Sequence, residues 1–104
     1  MPENKGKLRV NTRNFQFDGV MDMKIREVNE NKKQFISLLL LADEQESMVD
    51  RYLEKGTMYV LEDGDVKAEC VVIDEGNEIL EIKNIAVDPE NQGKGYGKAL
   101  IDFL

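Results

Sequence analysis

Gln92, Gly93, Lys94, Gly95, Tyr96, Gly97 and Lys98 bring together the residue types that hold a phosphate. Glycine at 93, 95 and 97 removes the Cβ where a backbone must curl tightly or lie close to a ligand. The successive N–H groups of such a loop, joined to the N-terminus of a following helix, form an anion cradle. Lys94 and Lys98 can add charge-assisted contacts. A loop lysine can equally well be only solvated.

Three phosphate loops compete for this stretch. The P-loop needs Gly, four residues, then Gly-Lys-Ser/Thr. Here Gly97-Lys98 is followed by Ala99, and Gln92 stands where the first glycine belongs. The dinucleotide fingerprint needs G-x-G-x-x-G directly after a strand. Here the glycines are spaced by two, and Pro89 separates strand from loop. The third pattern is Gln/Arg-x-x-Gly-x-Gly/Ala, which Gln92 to Gly97 satisfies. Together with Ile85-Ala86-Val87-Asp88-Pro89 before it, this run closely resembles the acetyl-CoA-binding motif of GNAT-family N-acetyltransferases. The likeness extends from about Met23 to Leu104 as an order of elements, and it leaves out residues 1–20.

The resemblance implies an α/β fold of acyl-CoA N-acyltransferase type, a mixed β-sheet flanked by helices in the order β-α-α-β-β-β-α. It implies acetyl-CoA as co-substrate and acetyl transfer to a primary amine by direct attack through a tetrahedral intermediate. The backbone of Ile85, Ala86 and Val87 would pair with the pantetheine arm beside a bulge, and their side chains would be core. A main-chain N–H of the same strand would face the oxyanion. The loop from Gln92 to Lys98 would hold the pyrophosphate. Tyr96 within it is expected to pack or to lie beside the adenine. Glu81, eleven residues before Gln92, stands where some members place a general base, a role that suits a carboxylate raised toward neutrality by burial. The other reading of Glu81 is a solvent-facing acid on a strand rich in them, beside Glu75 and Glu78. Lys83 and Asn84 are candidates for positioning. The acids of Asp43-Glu44-Gln45-Glu46 either shape the acceptor site or complement a helix N-terminus. No tyrosine follows the loop helix to protonate a departing thiolate, and Tyr52, Tyr59 and Tyr96 do not occupy that position.

A typical member continues past this helix with another strand, a helix and usually two more strands. The expectation is the N-terminal two-thirds of the family domain. The alternative function is a truncated, catalytically incompetent coenzyme A-binding or oligomerisation module. An open strand edge and an uncovered apolar face should recruit a second copy, so a homodimer is expected. The acceptor is expected to be a small-molecule or peptide amine.

Composition narrows the classes. Net charge is −7 over 104 residues, split as +2 over 1–20 and −9 over 21–104. Nucleic acid needs a basic surface, so an acidic body argues against it. The chain has no histidine, which excludes a His-based triad or base and most zinc sites, and no metal is expected. The single cysteine, Cys70, lies in an apolar alternation and reads as a buried small hydrophobe. The longest apolar run, Ile36 to Ala42, is too short to span a bilayer. The N-terminus lacks the apolar stretch of a signal peptide, so the expected compartment is the cytoplasm.

The elements that must position these residues are read from periodicity. Residues 1–20 read as an extension, poorly ordered at the extreme end, with the recognised domain over 21–104. Leu8, Val10, Phe15 and Phe17 allow a weak strand, and the functional alternative is an arm that pairs with a sheet edge. Met23 to Val28 is the first strand of the domain, and Asn29 or Asn31 can cap the next helix. Phe35, Leu38, Leu39 and Ala42 form a helical stripe. A second helix runs from Glu44 to Lys55, with Gly56 ending it at C′. Thr57 to Leu61 is apolar on both faces, as in a covered sheet. Asp63-Gly64 makes a hairpin. Val66, Ala68, Cys70 and Val72 share one face of its partner. Gly76-Asn77 turns the chain into a strand from Glu78 to Val87, and a helix starts near Gly95.

Overall fold

The computed structural model describes residues 12–17 and 21–104. Five strands form one sheet in the order β1-β2-β3-β4-β5: β1 Thr12–Phe17, β2 Met21–Val28, β3 Thr57–Asp63, β4 Asp65–Gly76 and β5 Ile79–Val87. A 3-10 turn over Lys32–Phe35 leads into helix α1, Ile36–Ala42, and then α2, Glu46–Leu53. Helix α3, Tyr96–Phe103, comes after the glycine loop. The fold is the expected α/β arrangement, with one difference: every described strand pair is antiparallel rather than mixed. Tight turns join β3 to β4 and β4 to β5, and the α1–α2 crossover returns the chain antiparallel beside β2.

Thr12–Phe17 pairs with β2, Phe15 opposite Met23, which is the arrangement of an arm on a sheet edge. The expected disorder of the extreme N-terminus lies outside the described residues.

The sheet is covered on both faces. Helix α3 packs Tyr96, Ala99, Leu100 and Phe103 over Met23, Ile25, Tyr59, Leu61, Cys70 and Val72. The Phe103 ring meets Tyr59 edge-on, centroids 5.0 Å apart. Helices α1 and α2 pack Leu39, Val49, Tyr52 and Leu53 over Val28, Met58, Val60 and Val71. Two-sided cover explains the unbroken buried run Met58–Leu61.

Three bulges re-aim side chains. Leu61 pairs with Ala68 and Glu62 with Val66, so Lys67 is the extra residue. That slip turns Val66 toward the α1–α2 face, away from Ala68, Cys70 and Val72, and corrects the four-residue alternation expected there. Between β4 and β5 the pairing skips Lys83 and, near the hairpin end, Glu75.

Gly56 does end α2, but its φ is not in the left-handed region. Space decides instead: a Cβ there would lie 2.7 Å from Val71 Cγ1. Asn31 begins the 3-10 turn in a left-handed conformation (φ 52) and makes no side-chain cap. The α2 terminus is held by a residue that periodicity does not single out. The buried Lys32 ammonium donates to Leu53 O at 2.9 Å and Gly56 O at 2.8 Å. It thereby satisfies helix-end carbonyls and favours the negative end of the dipole.

Candidate functional site

The end of β5 is pinned before the loop begins. The Asp88 N–H donates to Lys67 O at 2.8 Å, reaching the β4 bulge. The Asp88 carboxylate accepts from the Glu90 N–H at 3.0 Å and caps the 3-10 turn Pro89–Asn91. Gln92 Nε2 then donates back to Val87 O at 3.3 Å, folding the loop against the strand. Gly93 (φ 82) and Gly95 (φ 88) take left-handed conformations that side chains resist. Gly95 is the N-cap of α3, and no side chain caps that helix. Its first-turn N–H groups therefore keep their capacity for an anion.

Helix α1, β5 and the loop enclose a cleft of about 350 Å³ lined by Leu41, Ala42, Ile85, Ala86, Val87, Gln92 and Gly97. Five of the expected cofactor residues thus meet on one cleft. Gly93, Lys94, Gly95, Tyr96 and Lys98 do not line it. Lys94 donates to Asn91 Oδ1 at 3.1 Å and Lys98 pairs with Asp102 at 2.7 Å, both on the surface. Tyr96 packs rather than facing a ligand. Its ring is buried and its hydroxyl donates to Asp63 Oδ2 at 2.6 Å, a bond that, with burial, pushes its pKa up to about 12. An adenine-side contact from this side chain is excluded by that burial.

A second, larger cleft of about 570 Å³ lies between α2 and the β4–β5 hairpin. Asp43, next in sequence to Ala42 of the first cleft, lines it with Arg51, Tyr52, Lys55, Glu75, Glu81 and Lys83. Met48, Ile73 and Ile82 give it apolar walls. At its inner side Asn84 Nδ2 donates to Leu39 O at 3.0 Å and to Tyr52 Oη at 2.9 Å, and the Tyr52 hydroxyl donates to Asp43 at 3.2 Å. Asn84 thereby ties β5 to α1 and α2 where the two clefts adjoin. Asn84 is buried in the core.

Glu81 reaches this cleft in the solvent-facing environment of the second reading, not the buried one that would suit a raised base. It is exposed, and contact with Glu75 and then Lys83 holds its carboxyl below the usual carboxylate range. The Lys83 ammonium lies 3.3 Å from it. Glu75 is raised, because a hydrogen bond with Glu81 and proximity to that charge favour its protonated form. Cys70 is buried on the α3 face, where desolvation pushes its thiol up to about 12.

The acid that burial does raise is Glu69. It is fully buried on β4, between Val60 and Ala86, and neither carboxylate oxygen finds a partner among the described residues. Desolvation pushes it up to about 8. The sequence shows Glu69 as a polar residue in an alternation. The only signal of burial is that Val71 and Ile73, on the same parity, are also apolar.

Among the described residues no helix is long and apolar enough to cross a membrane. The Acetyltransferase (GNAT) domain family matches residues 54–104, which span the end of α2, the hairpins, the glycine loop and α3. The uncharacterized N-acetyltransferase YvbK of Bacillus subtilis (strain 168) is 41% identical over 73 residues, 69% of this chain and 47% of that protein. The fold matches the IAA acetyltransferase from Bacillus cereus with a TM-score of 0.68 at 36% identity, covering 77% of this chain and 53% of that one. It matches a GNAT family acetyltransferase from Elizabethkingia anophelis, solved with acetyl-CoA bound, at 0.71 and 31% identity over the same shares. A Bacillus subtilis acetyltransferase in complex with CoA gives 0.68 at 38% identity, covering 76% and 53%. The chain spans about half the length of the relatives it matches. Family match, relatives and fold agree with the loop geometry: the chain belongs to the GNAT acetyltransferase family.

Proposed function

We propose that this chain binds acetyl-CoA in the cleft between α1, β5 and the glycine loop and transfers the acetyl group to a primary amine. The observation that carries the reading is the meeting of Ile85, Ala86 and Val87 at the end of β5 with Gln92 and Gly97 of the loop on one cleft, next to the uncapped start of α3. These N–H groups suit a pyrophosphate, and the apolar walls Leu41, Ile85 and Val87 suit a pantetheine arm. Two relatives solved with acetyl-CoA or CoA support the same ligand.

Acetyl-CoA supplies an activated thioester, and the chain supplies orientation. The amine enters through the adjoining larger cleft and attacks the thioester carbonyl. A C–N bond forms, the C–S bond breaks on collapse of the tetrahedral intermediate, and coenzyme A leaves as a thiolate that takes its proton from solvent. Holding both partners converts a bimolecular encounter into a positioned one. A main-chain N–H of β5 stabilises the developing oxyanion. Glu81 accepts the amine's proton, directly or through water, as a carboxylate already ionised at neutral pH. A cytoplasmic location, where acetyl-CoA is found, is part of the same proposal. On its outer side β5 has no strand neighbour among the described residues, and Ile79 on it is exposed. We assign that edge to a second copy of the chain, forming a homodimer.

The test is an acetylation assay of the chain against a panel of small amines and peptides, reading thiol release and product mass together. Acceptor-dependent thiol release with a matching acetylated product is expected. Thiol release without any acetylated acceptor would overturn the transfer step.

A further inference from the structure

The larger cleft carries charges of both signs, and they are segregated. Helix α2 and the turn after it contribute Arg51 and Lys55, and neither has an ion pair or hydrogen bond among the described residues. The opposite wall contributes Glu75 and Glu81, two acids of the β4–β5 hairpin. Glu75 is an extra residue in its strand and Glu81 lies two residues before the other bulge, at Lys83. Bulges re-aim side chains, and both bulged residues line this one cleft. Between the charged walls run Ile73 and Ile82.

Two acids on one wall of a cleft favour a cationic group beside them. Lys83 of the same hairpin lies 3.3 Å from Glu81. Across the cleft, two unpaired cations call for an anion, and a guanidinium accepts a carboxylate by two parallel bonds. We propose that this cleft selects a zwitterion: an α-amino acid with an apolar side chain, its ammonium toward Glu75 and Glu81, its carboxylate toward Arg51 and Lys55, and its side chain against Ile73 and Ile82. The proposal rests on the acyl-transfer reading, because it names the acceptor of that site.

The experiment is an NMR titration of the isotopically labelled chain with leucine and with isoamylamine, which lacks only the carboxylate. It is run with and without acetyl-CoA, on the wild type and on the Arg51→Gln/Lys55→Gln variant. Both substituted residues are exposed and unpaired, so the variant retains the fold. Leucine is expected to bind about tenfold more tightly than isoamylamine, with shifts centred on α2 and the β4–β5 hairpin. The double variant should bring leucine to the level of isoamylamine. Equal binding of the two ligands, binding of neither, or a preference that survives the double substitution would overturn the proposal. A leucine preference in a chain that ignores acetyl-CoA would leave the zwitterion site standing and remove the acyl-transfer reading. Acetyl-CoA binding without a leucine preference would do the reverse.

Discussion

Glu81 and Glu69 show how environment, rather than residue type, sets what a carboxylate can do. Glu81 is exposed, and Glu75 and Lys83 hold it below the ordinary range. It is therefore ionised throughout neutral pH, so its own titration does not shape the rate there. Between roughly pH 6 and 9 the rate should rise with deprotonation of the acceptor ammonium. Glu81→Gln should lower kcat by roughly a hundredfold while leaving acetyl-CoA affinity in place. Steady-state kinetics across pH checks this, and an unchanged kcat removes Glu81 from the mechanism. Glu69 presents the opposite case. Its folded pKa of about 8 lies above the ordinary 4.5, so the folded chain holds a proton that the unfolded chain has released. Stability is fully present below about pH 4.5, declines as pH rises, and levels off above about 8, a loss on the order of 4 kcal/mol. Urea unfolding at pH 5 and pH 8 measures it. Glu69→Gln should flatten most of that slope, and a wild type equally stable at both pH values would contradict the assignment.

At the level of elements, much of the chain was legible and the failures have local causes. Strand positions are set by the alternation in Met23–Val28 and Val66–Ile73 and by the turn signals Asp63-Gly64 and Gly76-Asn77. The loop glycines 93 and 95 take the left-handed conformations that their motif demands. Bulges were not legible, because a one-residue slip leaves no composition signature. Lys67 thus reversed the face of Val66, and Lys83 and Glu75 came to line a cleft that sequence spacing does not describe. Lys32 was missed for a related reason: a lysine in a polar stretch reads as solvated, while its partners are backbone carbonyls more than 20 residues away. Lys32→Met keeps the apolar stem and removes the donors. It should destabilise the chain by about 1.5–3 kcal/mol, as expected for a buried charge-assisted hydrogen-bonding group. Denaturant unfolding checks this. A neutral result would mean that the α2 terminus does not depend on the ammonium.

For the molecule as a whole, β5 is an edge strand among the described residues and lines the smaller cleft. Ile79 is 57% exposed, Ile82 41% and Ile101 of α3 53%. Ile79 puts apolar surface on an edge whose outer side has no strand neighbour among the described residues. Sedimentation equilibrium should therefore report a dimer at high micromolar concentration, and Ile79→Lys should shift it toward monomer. A stable monomer at the highest concentrations tested would contradict the dimer. The likeness to the relatives was readable in the hexapeptide from Gln92 to Gly97. The proposed acceptor cleft was not, because it is assembled from α2 and a bulged hairpin that are distant in sequence.

Cofactor binding is best tested by calorimetric titration of this chain with acetyl-CoA, beside its Gly95→Ala variant. A Cβ at φ 88 is strained by about 1–2 kcal/mol, so it should either distort the loop or weaken binding about tenfold. Saturable binding by the wild type and a clear loss in the variant are expected. A folded wild type that releases no heat with acetyl-CoA, or a variant that binds as tightly, would contradict the assignment of the glycine loop as the coenzyme A site.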